Sequence, residues 1–145
     1  MAQTRRSFLR STLALWLAWG AGRVWPKPPP EALDKLDLAI AQETGGRQPS
    51  ANGAVTLTAP DIAEDGALVP VTVESTLSKV EAVWIFVEKN PAPLAARFTL
   101  DDTLAPFVSL RIKMNESGDV VALVKVGEDY FSARRKVRVV TGGCG

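Results

Sequence analysis

The most reactive side chain in the sequence is Cys144, which follows Gly142 and Gly143 and precedes Gly145. It is the single cysteine of the chain, so an intrachain disulfide is excluded, and a lone thiol outside the cytoplasm indicates intermolecular pairing or a free reactive group. Because glycine has the most conformational freedom, residues 141–145 are expected to stay mobile. Fully extended, residues 141–144 reach about 10 Å past the last strand. The pattern predicts an arm that carries a thiol into a cleft of another protein.

The surroundings of this thiol favour an attachment point on which other enzymes act over a catalytic nucleophile. An unassisted thiol has a pKa of about 8.5, so about a tenth is thiolate near pH 7.5. The chain has no histidine, the commonest general base and metal ligand. We therefore expect no catalytic residue, metal or cofactor in this chain. The alternative is a terminal thiol without a role.

The N-terminal residues predict export. Arg5 and Arg6 precede Phe-Leu and a further basic residue, and a mild apolar run and small residues follow up to Gly22. This is the order of a signal peptide, and the arginine pair resembles the twin-arginine signal. The run is about half the length that spans a bilayer, so no membrane anchor is expected. We assign residues 1–22 to a twin-arginine signal peptide and the protein to the periplasm.

The composition limits the class of partner. Of 145 residues, 17 are basic and 16 acidic, a formal net charge of +1. Cleavage before Arg23 would leave 14 basic against 16 acidic residues, a net charge of −2. Nucleic-acid binding needs a strong basic excess, so that class is excluded.

The rest of the chain predicts one all-β domain behind a short helix. Residues 23–53 form a proline-rich linker and a helix over residues 31–44 that ends at Gly45-Gly46. Residues 54–140 alternate apolar and polar positions between turn signals, which predicts an all-β antiparallel sandwich. The seven expected strands cover residues 55–59, 68–73, 80–88, 94–100, 107–114, 120–126 and 130–140.

A basic cluster occupies the last predicted strand. Arg134, Arg135 and Lys136 are consecutive, and Arg138 follows two residues later. One interpretation is a solvated or edge strand protected against aggregation. The other is a surface near the tail that faces a partner or attracts anions.

The sequence resembles the SoxY family, the sulfur-carrier subunits of the bacterial Sox thiosulfate-oxidation system. Three features carry the resemblance: the tail Gly142-Gly143-Cys144-Gly145, the segment Leu57–Val71 and the segment Phe86–Leu94. It covers residues 54–145 well and the helix from Leu36 loosely. The tail is one glycine shorter than the usual arm. The two internal segments contain no set of titratable residues, and we interpret them as loop and core.

The resemblance implies a role for each residue of the tail. Cys144 would be the covalent attachment site for inorganic sulfur species, and Gly142, Gly143 and Gly145 the swinging arm. It also implies an immunoglobulin-like β-sandwich and a heterodimer with a SoxZ-like subunit. A haem-containing SoxAX-like protein would attach thiosulfate to the thiol, a metal-dependent SoxB-like hydrolase would release sulfate, and a sulfane-dehydrogenase-like enzyme would oxidise the remaining sulfur.

Two other functions fit the lone cysteine. The first is a periplasmic thiol oxidoreductase or peroxidase, which usually needs a lowered thiol pKa and a resolving cysteine. The second is a structural sandwich module that dimerises through a disulfide between two copies of Cys144.

Overall fold

The computed structural model describes residues 34–140. Helix α1 spans Lys35–Thr44, four residues later than the predicted start, and Asp34 is its N-cap residue. Gly45 adopts the left-handed conformation (φ 65°), and the N–H of Gly46 donates to the carbonyl of Ala41 at 2.8 Å. The predicted glycine stop is therefore confirmed, because a left-handed residue ends a helix at little cost only when it lacks a Cβ. No helix among residues 34–140 is long and apolar enough to span a bilayer.

Nine strands follow the helix within residues 34–140. The seven predicted strands are present with ends that differ by at most two residues, and two further strands have two residues each. In chain order they are β1 (Ser50–Ala51), β2 (Val55–Thr58), β3 (Ile62–Ala63), β4 (Val69–Ser75), β5 (Ala82–Val87), β6 (Leu94–Thr99), β7 (Phe107–Ile112), β8 (Gly118–Val126) and β9 (Asp129–Val139).

The strands form two sheets, which confirms the predicted β-sandwich. The larger sheet has the order β1-β9-β8-β5-β6, with β3 also paired to β9, and the smaller has the order β2-β4-β7. The seven longer strands pair antiparallel, as predicted. The short strands β1 and β3 pair parallel to β9, which the sequence did not predict. A two-residue strand is too short to show the alternation from which strands are recognised.

The main core lies between the two sheets. Alternate residues of facing strands fill it, and the largest fully buried side chains include Ile85, Met114 and Val137. Strand β5 has six buried residues in succession because it is central in its sheet and covered on both faces. Its odd-numbered residues from Val83 face the smaller sheet, and its even-numbered residues face the helix.

Helix α1 covers the outer face of the larger sheet through a second apolar cluster, in which Leu36 packs with Trp84 and Phe86. The indole N–H of Trp84 donates to Glu43 Oε2 at 2.7 Å. Arg97 reaches the same carboxylate at 3.4 Å and lies 5.5 Å from the centre of the indole ring. The helix is thus held by apolar burial together with one buried donor that has its acceptor.

Pro70 lies in a central strand and not in an edge strand. It pairs with Arg111 of β7, while β2 ends at Thr58, which is opposite Thr72. On the β2 side, strand β4 therefore has no neighbour at Pro70. Proline is tolerated at this position because one ladder is missing there.

Candidate functional site

The predicted site residues Gly142, Gly143, Cys144 and Gly145, and the export residues Arg5 and Arg6, lie outside the described residues. The structure does describe the point from which the arm leaves, because strand β9 ends at Val139 and Val140 follows it. We call Arg138, Val139 and Val140 the arm root. The site is therefore built from the groups that hold these three residues.

One side of the arm root is held by the loop that contains β3. The N–H of Arg138 donates to the carbonyl of Asp61 at 2.9 Å, and the N–H of Val140 donates to the carbonyl of Ala63 at 3.1 Å. Strand β3 thereby runs parallel to the end of β9. The loop itself is anchored because Ala63 is buried in the main core.

The other side of the arm root is held by Ser117. Its hydroxyl accepts a hydrogen bond from the N–H of Val139 at 2.9 Å and lies 3.3 Å from the carbonyl of Val139, to which it donates. Strand β8 begins at Gly118, opposite Val137, so β8 supplies no backbone partner for Val139. The side chain of Ser117 replaces that missing partner.

The segment 86–94 supports the turn that carries Ser117. The side-chain amide of Asn90 donates to the carbonyl of Lys113 at 2.7 Å, and its oxygen accepts from the N–H of Asn115 at 3.0 Å. Asn90 therefore ties the turn after β5 to residues 113–115, which lead into the turn that carries Ser117. Both segments that resemble the SoxY family, 57–71 and 86–94, thus meet around the arm root.

An ion pair between Glu88 and Lys89 lies at this end of the sandwich. The carboxylate of Glu88 accepts from the N–H of Asp119 at 3.0 Å and lies 3.2 Å from the ammonium of Lys89. The hydrogen bond from Asp119, followed by the contact with Lys89, lowers the pKa of Glu88. Glu88 in turn raises the pKa of Lys89, to which Asp34 at the start of the helix also contributes. The start of α1 therefore lies at the same end of the domain as the arm root.

The basic cluster on β9 divides into paired and unpaired cations. Arg134 contacts Asp119 at 3.0 Å, and Arg135 contacts Asp61 at 2.7 Å. Within residues 34–140, Lys136 and Arg138 form no ion pair, and both are exposed. On its outer edge β9 pairs with β1 at residues 131–132 and with β3 at 138–139. Arg134, Arg135 and Lys136 lie in the gap, which fits the interpretation of a protected edge.

Among residues 34–140, no three acidic, cysteine or histidine side chains come together in a way that could hold a metal ion. An open depression bordered by Arg47, Glu128 and Tyr130 lies at the start of β9. Ten residues of strand separate that start from Val139, roughly 33 Å, so the depression is remote from the arm root.

Comparison with known proteins identifies the family. The model of the family described as "Sulfur oxidation protein SoxY" matches residues 40–144. The chain belongs to the SoxY family. The solved structure of the sulfur carrier protein SoxY from Chlorobium limicola f. thiosulfatophilum has 37% sequence identity and a TM-score of 0.66, and the alignment covers 74% of this chain and 97% of that chain.

Two further comparisons do not bear on the family assignment. A chain from a structure of toxic shock syndrome toxin-1 aligns with 11% identity and a TM-score of 0.42, covering 59% of this chain and 99% of that one. No curated protein sequence matched. The family assignment therefore rests on the SoxY family model and on the SoxY structure. It confirms the resemblance stated from residues 57–71, 86–94 and the tail.

Sequence reasoning missed how these SoxY segments act on the arm root. The groups that hold Arg138 and Val140 are the backbone carbonyls of Asp61 and Ala63, and any residue type supplies a carbonyl. The one side chain involved, Ser117, lies in a turn rich in turn-forming residues, where a serine is expected for local reasons. The only signal available was the resemblance of the two segments to the family.

Proposed function

We propose that this protein is a periplasmic, non-enzymatic carrier of inorganic sulfur intermediates in thiosulfate or sulfur oxidation. The substrate is bound covalently to Cys144 as a thioconjugate and is presented to partner enzymes. Gly142, Gly143 and Gly145 form the swinging arm. One observation carries the proposal: the SoxY family match runs to residue 144 and so includes Cys144.

The geometry of the arm root supports this function. A carrier must hold its arm firmly at one end so that the thiol leaves the domain in a constant direction. Arg138 and Val140 are fixed by backbone hydrogen bonds on one edge, and Val139 is fixed by Ser117 on the other. Cys144 is only four residues beyond Val140, so the thiol can reach about 14 Å from this anchor.

The partners and the route of export belong to the same proposal. A SoxZ-like subunit forms the heterodimer, SoxAX-like and SoxB-like enzymes load and process the conjugate, and a sulfane-dehydrogenase-like enzyme oxidises the remaining sulfur. Arg5 and Arg6 direct export by the twin-arginine route, which transports folded proteins and therefore permits assembly before export. The proposal rests on family membership and on the tail sequence.

Intact-protein mass spectrometry tests the proposal. The chain is isolated without reductant from cells grown on thiosulfate, with Cys144→Ser as the control. Mass additions that match sulfane or thiosulfonate groups are expected on the wild type and absent from the variant. A bare thiol or a plain disulfide dimer, even after incubation with thiosulfate and the processing enzymes, would favour a structural module.

A further inference from the structure

The turn between β7 and β8 carries Ser117 to the arm root. Its five residues, 113–117, cross from the smaller sheet to the larger. One end is fixed by Met114, which is fully buried in the main core. Residues 115–117 are exposed or half-buried. The position of Ser117 beside Val139 therefore depends on contacts made from outside this turn.

Two residues that follow β5 hold the β7–β8 turn at its two ends. At one end, Asn90 donates to the carbonyl of Lys113 at 2.7 Å and accepts from the N–H of Asn115 at 3.0 Å. At the other end, the N–H of Glu88 donates to the carbonyl of Asp119 at 2.9 Å, and its carboxylate accepts from the N–H of Asp119 at 3.0 Å. Strand β5 is paired on both sides, so both attachments start from a well-anchored strand.

The approach of these residues to β8 is unusually close at Gly118. A Cβ at this position would lie 2.8 Å from Lys89 Cγ and 3.3 Å from Glu88 Oε2. The first distance is shorter than the roughly 3.5–4.0 Å at which carbon atoms pack. The ammonium of Lys89 pairs with Glu88 at 3.2 Å, which keeps the stem over the glycine. The contact between the two turns therefore needs a residue without a side chain at position 118.

The end of β9 has few other supports on this side. Strand β8 begins two residues too late to supply a backbone partner for Val139, so the side chain of Ser117 takes that place. On the opposite side, the loop that contains β3 bonds the residues before and after Val139. If Ser117 moved away, the end of β9 would stay attached along one edge only. The direction in which the chain continues beyond Val140 would then be less constant.

We propose that Glu88 and Asn90 are positioning residues for the carrier arm. They hold the β7–β8 turn in the place where Ser117 reaches Val139, and they thereby set the direction in which the chain leaves the arm root. The inference rests on the proposed carrier function. Glu88 and Asn90 act through Ser117, and they change the fraction of molecules whose arm is directed into a partner. The apparent affinity of that partner falls in proportion to this fraction.

Hydrogen exchange and a paramagnetic label test the positioning role in the full chain. Cys144 is the single cysteine, so a nitroxide methanethiosulfonate attaches there alone. In Asn90→Ala the N–H of Val139 should exchange about fivefold faster, and paramagnetic broadening should extend to more backbone amides than in the wild type. Asn52→Ala is the matched control, because Asn52 also accepts a hydrogen bond within a turn, from the N–H of Ala54 at 2.9 Å. It should change neither quantity.

Two further variants test whether the effect passes through Ser117. Asn90→Asp keeps the acceptor for Asn115 and loses the donor to Lys113, so exchange at Val139 should lie between the wild type and Asn90→Ala. Asn90→Ala combined with Ser117→Ala should exchange no faster at Val139 than Ser117→Ala alone. Independent effects that multiply, or unchanged exchange at Val139 in Asn90→Ala, would overturn the proposal.

Gly118→Ala tests the close approach of the two turns. The added methyl group should push the stem of Lys89 away and accelerate exchange at Val139, as Asn90→Ala does. Gly118→Ala combined with Lys89→Ala should recover part of the protection, because the shortened side chain leaves room for the methyl group. Wild-type exchange at Val139 in Gly118→Ala would count against the proposal.

A kinetic measurement separates positioning from a purely structural role. The loaded chain is the substrate of the SoxB-like hydrolase, at a temperature where the wild type, Asn90→Ala and Asn52→Ala are fully folded. Asn90→Ala should raise KM severalfold and leave kcat unchanged, whereas Asn52→Ala should change neither. An unchanged KM in Asn90→Ala would overturn the positioning role. Sulfur adducts on Cys144 found by mass spectrometry would leave the carrier function standing in that case.

Discussion

The hydroxyl of Ser117 satisfies both backbone groups of Val139, accepting from its N–H at 2.9 Å and donating to its carbonyl at 3.3 Å. A single exposed side chain therefore extends the sheet by one position beyond the start of β8, at the last strand residue before the arm. This relationship links the end of the fold to the start of the functional segment. It also makes Ser117 the most direct point at which to loosen the arm root.

Ser117→Ala should loosen the arm root without unfolding the domain. Loss of the two hydrogen bonds should lower stability by about 1 kcal/mol, the usual contribution of an exposed hydrogen bond. Amide hydrogen exchange of Val139 should accelerate, because its N–H loses its acceptor, and Ser117→Thr should retain most of the protection. Ser109→Ala is the control, since its hydroxyl forms a hydrogen bond with Thr72 within the smaller sheet, away from Val139. Unchanged exchange at Val139 would show that Ser117 does not hold the strand end.

Cys144→Ser should preserve the fold and partner binding and abolish thiosulfate turnover. Serine is nearly isosteric with cysteine, but its hydroxyl does not form a stable conjugate with sulfur species. The measurement is turnover in a system reconstituted with the partner enzymes, together with a circular dichroism spectrum and a partner-binding assay. Turnover at the wild-type rate would refute covalent carriage on Cys144.

Gly142→Pro with Gly143→Pro should slow both loading and unloading of Cys144. Proline fixes φ near −65° and restricts the residue before it, so the chain loses most of the conformations that let the thiol enter a partner. Gly142→Ala with Gly143→Ala is the control, because alanine removes positive φ but leaves the chain otherwise unrestricted. Rates that are equal in the wild type, the alanine variant and the proline variant would show that arm flexibility is unimportant.

The sandwich was predictable because its strands follow a simple alternation. Val55 and Leu57 are buried while Thr56 and Thr58 are exposed, and the continuous apolar run around Trp84 is an interior strand of the larger sheet. The two short strands and the parallel pairing of β3 depend on where β9 lies in space, and no local pattern of two residues specifies that. The contact of Glu43 with Trp84 joins residues 41 positions apart and is likewise absent from local patterns.

The sequence predicts the chemistry of the candidate site but not the groups that hold the arm root. A thiol between glycines is visible in the sequence as Cys144, and its attachment role followed from the family resemblance. The anchoring of Arg138 by the carbonyl of Asp61 uses a backbone group and is therefore independent of residue type. Among residues 34–140, Arg134 has an ion-pair partner and Lys136 has none, and this difference depends on the position of Asp119 across the β8–β9 ladder.

Glu43→Ala should destabilise the domain by about 1–3 kcal/mol. Trp84 is 2% exposed, so removing the carboxylate leaves the indole N–H buried without an acceptor. Glu43→Gln should recover part of the loss because its amide oxygen can accept the same hydrogen bond. Urea unfolding measures the effect, with the exposed Gln42→Ala on the same helix as the control. Equal urea midpoints for Glu43→Ala and Gln42→Ala would show that the indole N–H of Trp84 donates to water in the variant.

Glu88→Gln should make the free energy of unfolding less dependent on pH in the acidic range. The folded protein holds the pKa of Glu88 below its usual value, first through the N–H of Asp119 and then through Lys89. A depressed pKa stabilises the folded state at pH values above the unfolded pKa, about 4.3, and this contribution is lost as the pH falls through the lower folded value. The free energy of unfolding of the wild type should therefore fall more steeply than that of Glu88→Gln below about pH 4.3. Glu116→Gln, which removes an exposed carboxylate from the turn between β7 and β8, is the control. If the free energy of unfolding falls equally steeply with pH in the wild type and in Glu88→Gln, the contact with Asp119 does not favour the ionised form of Glu88.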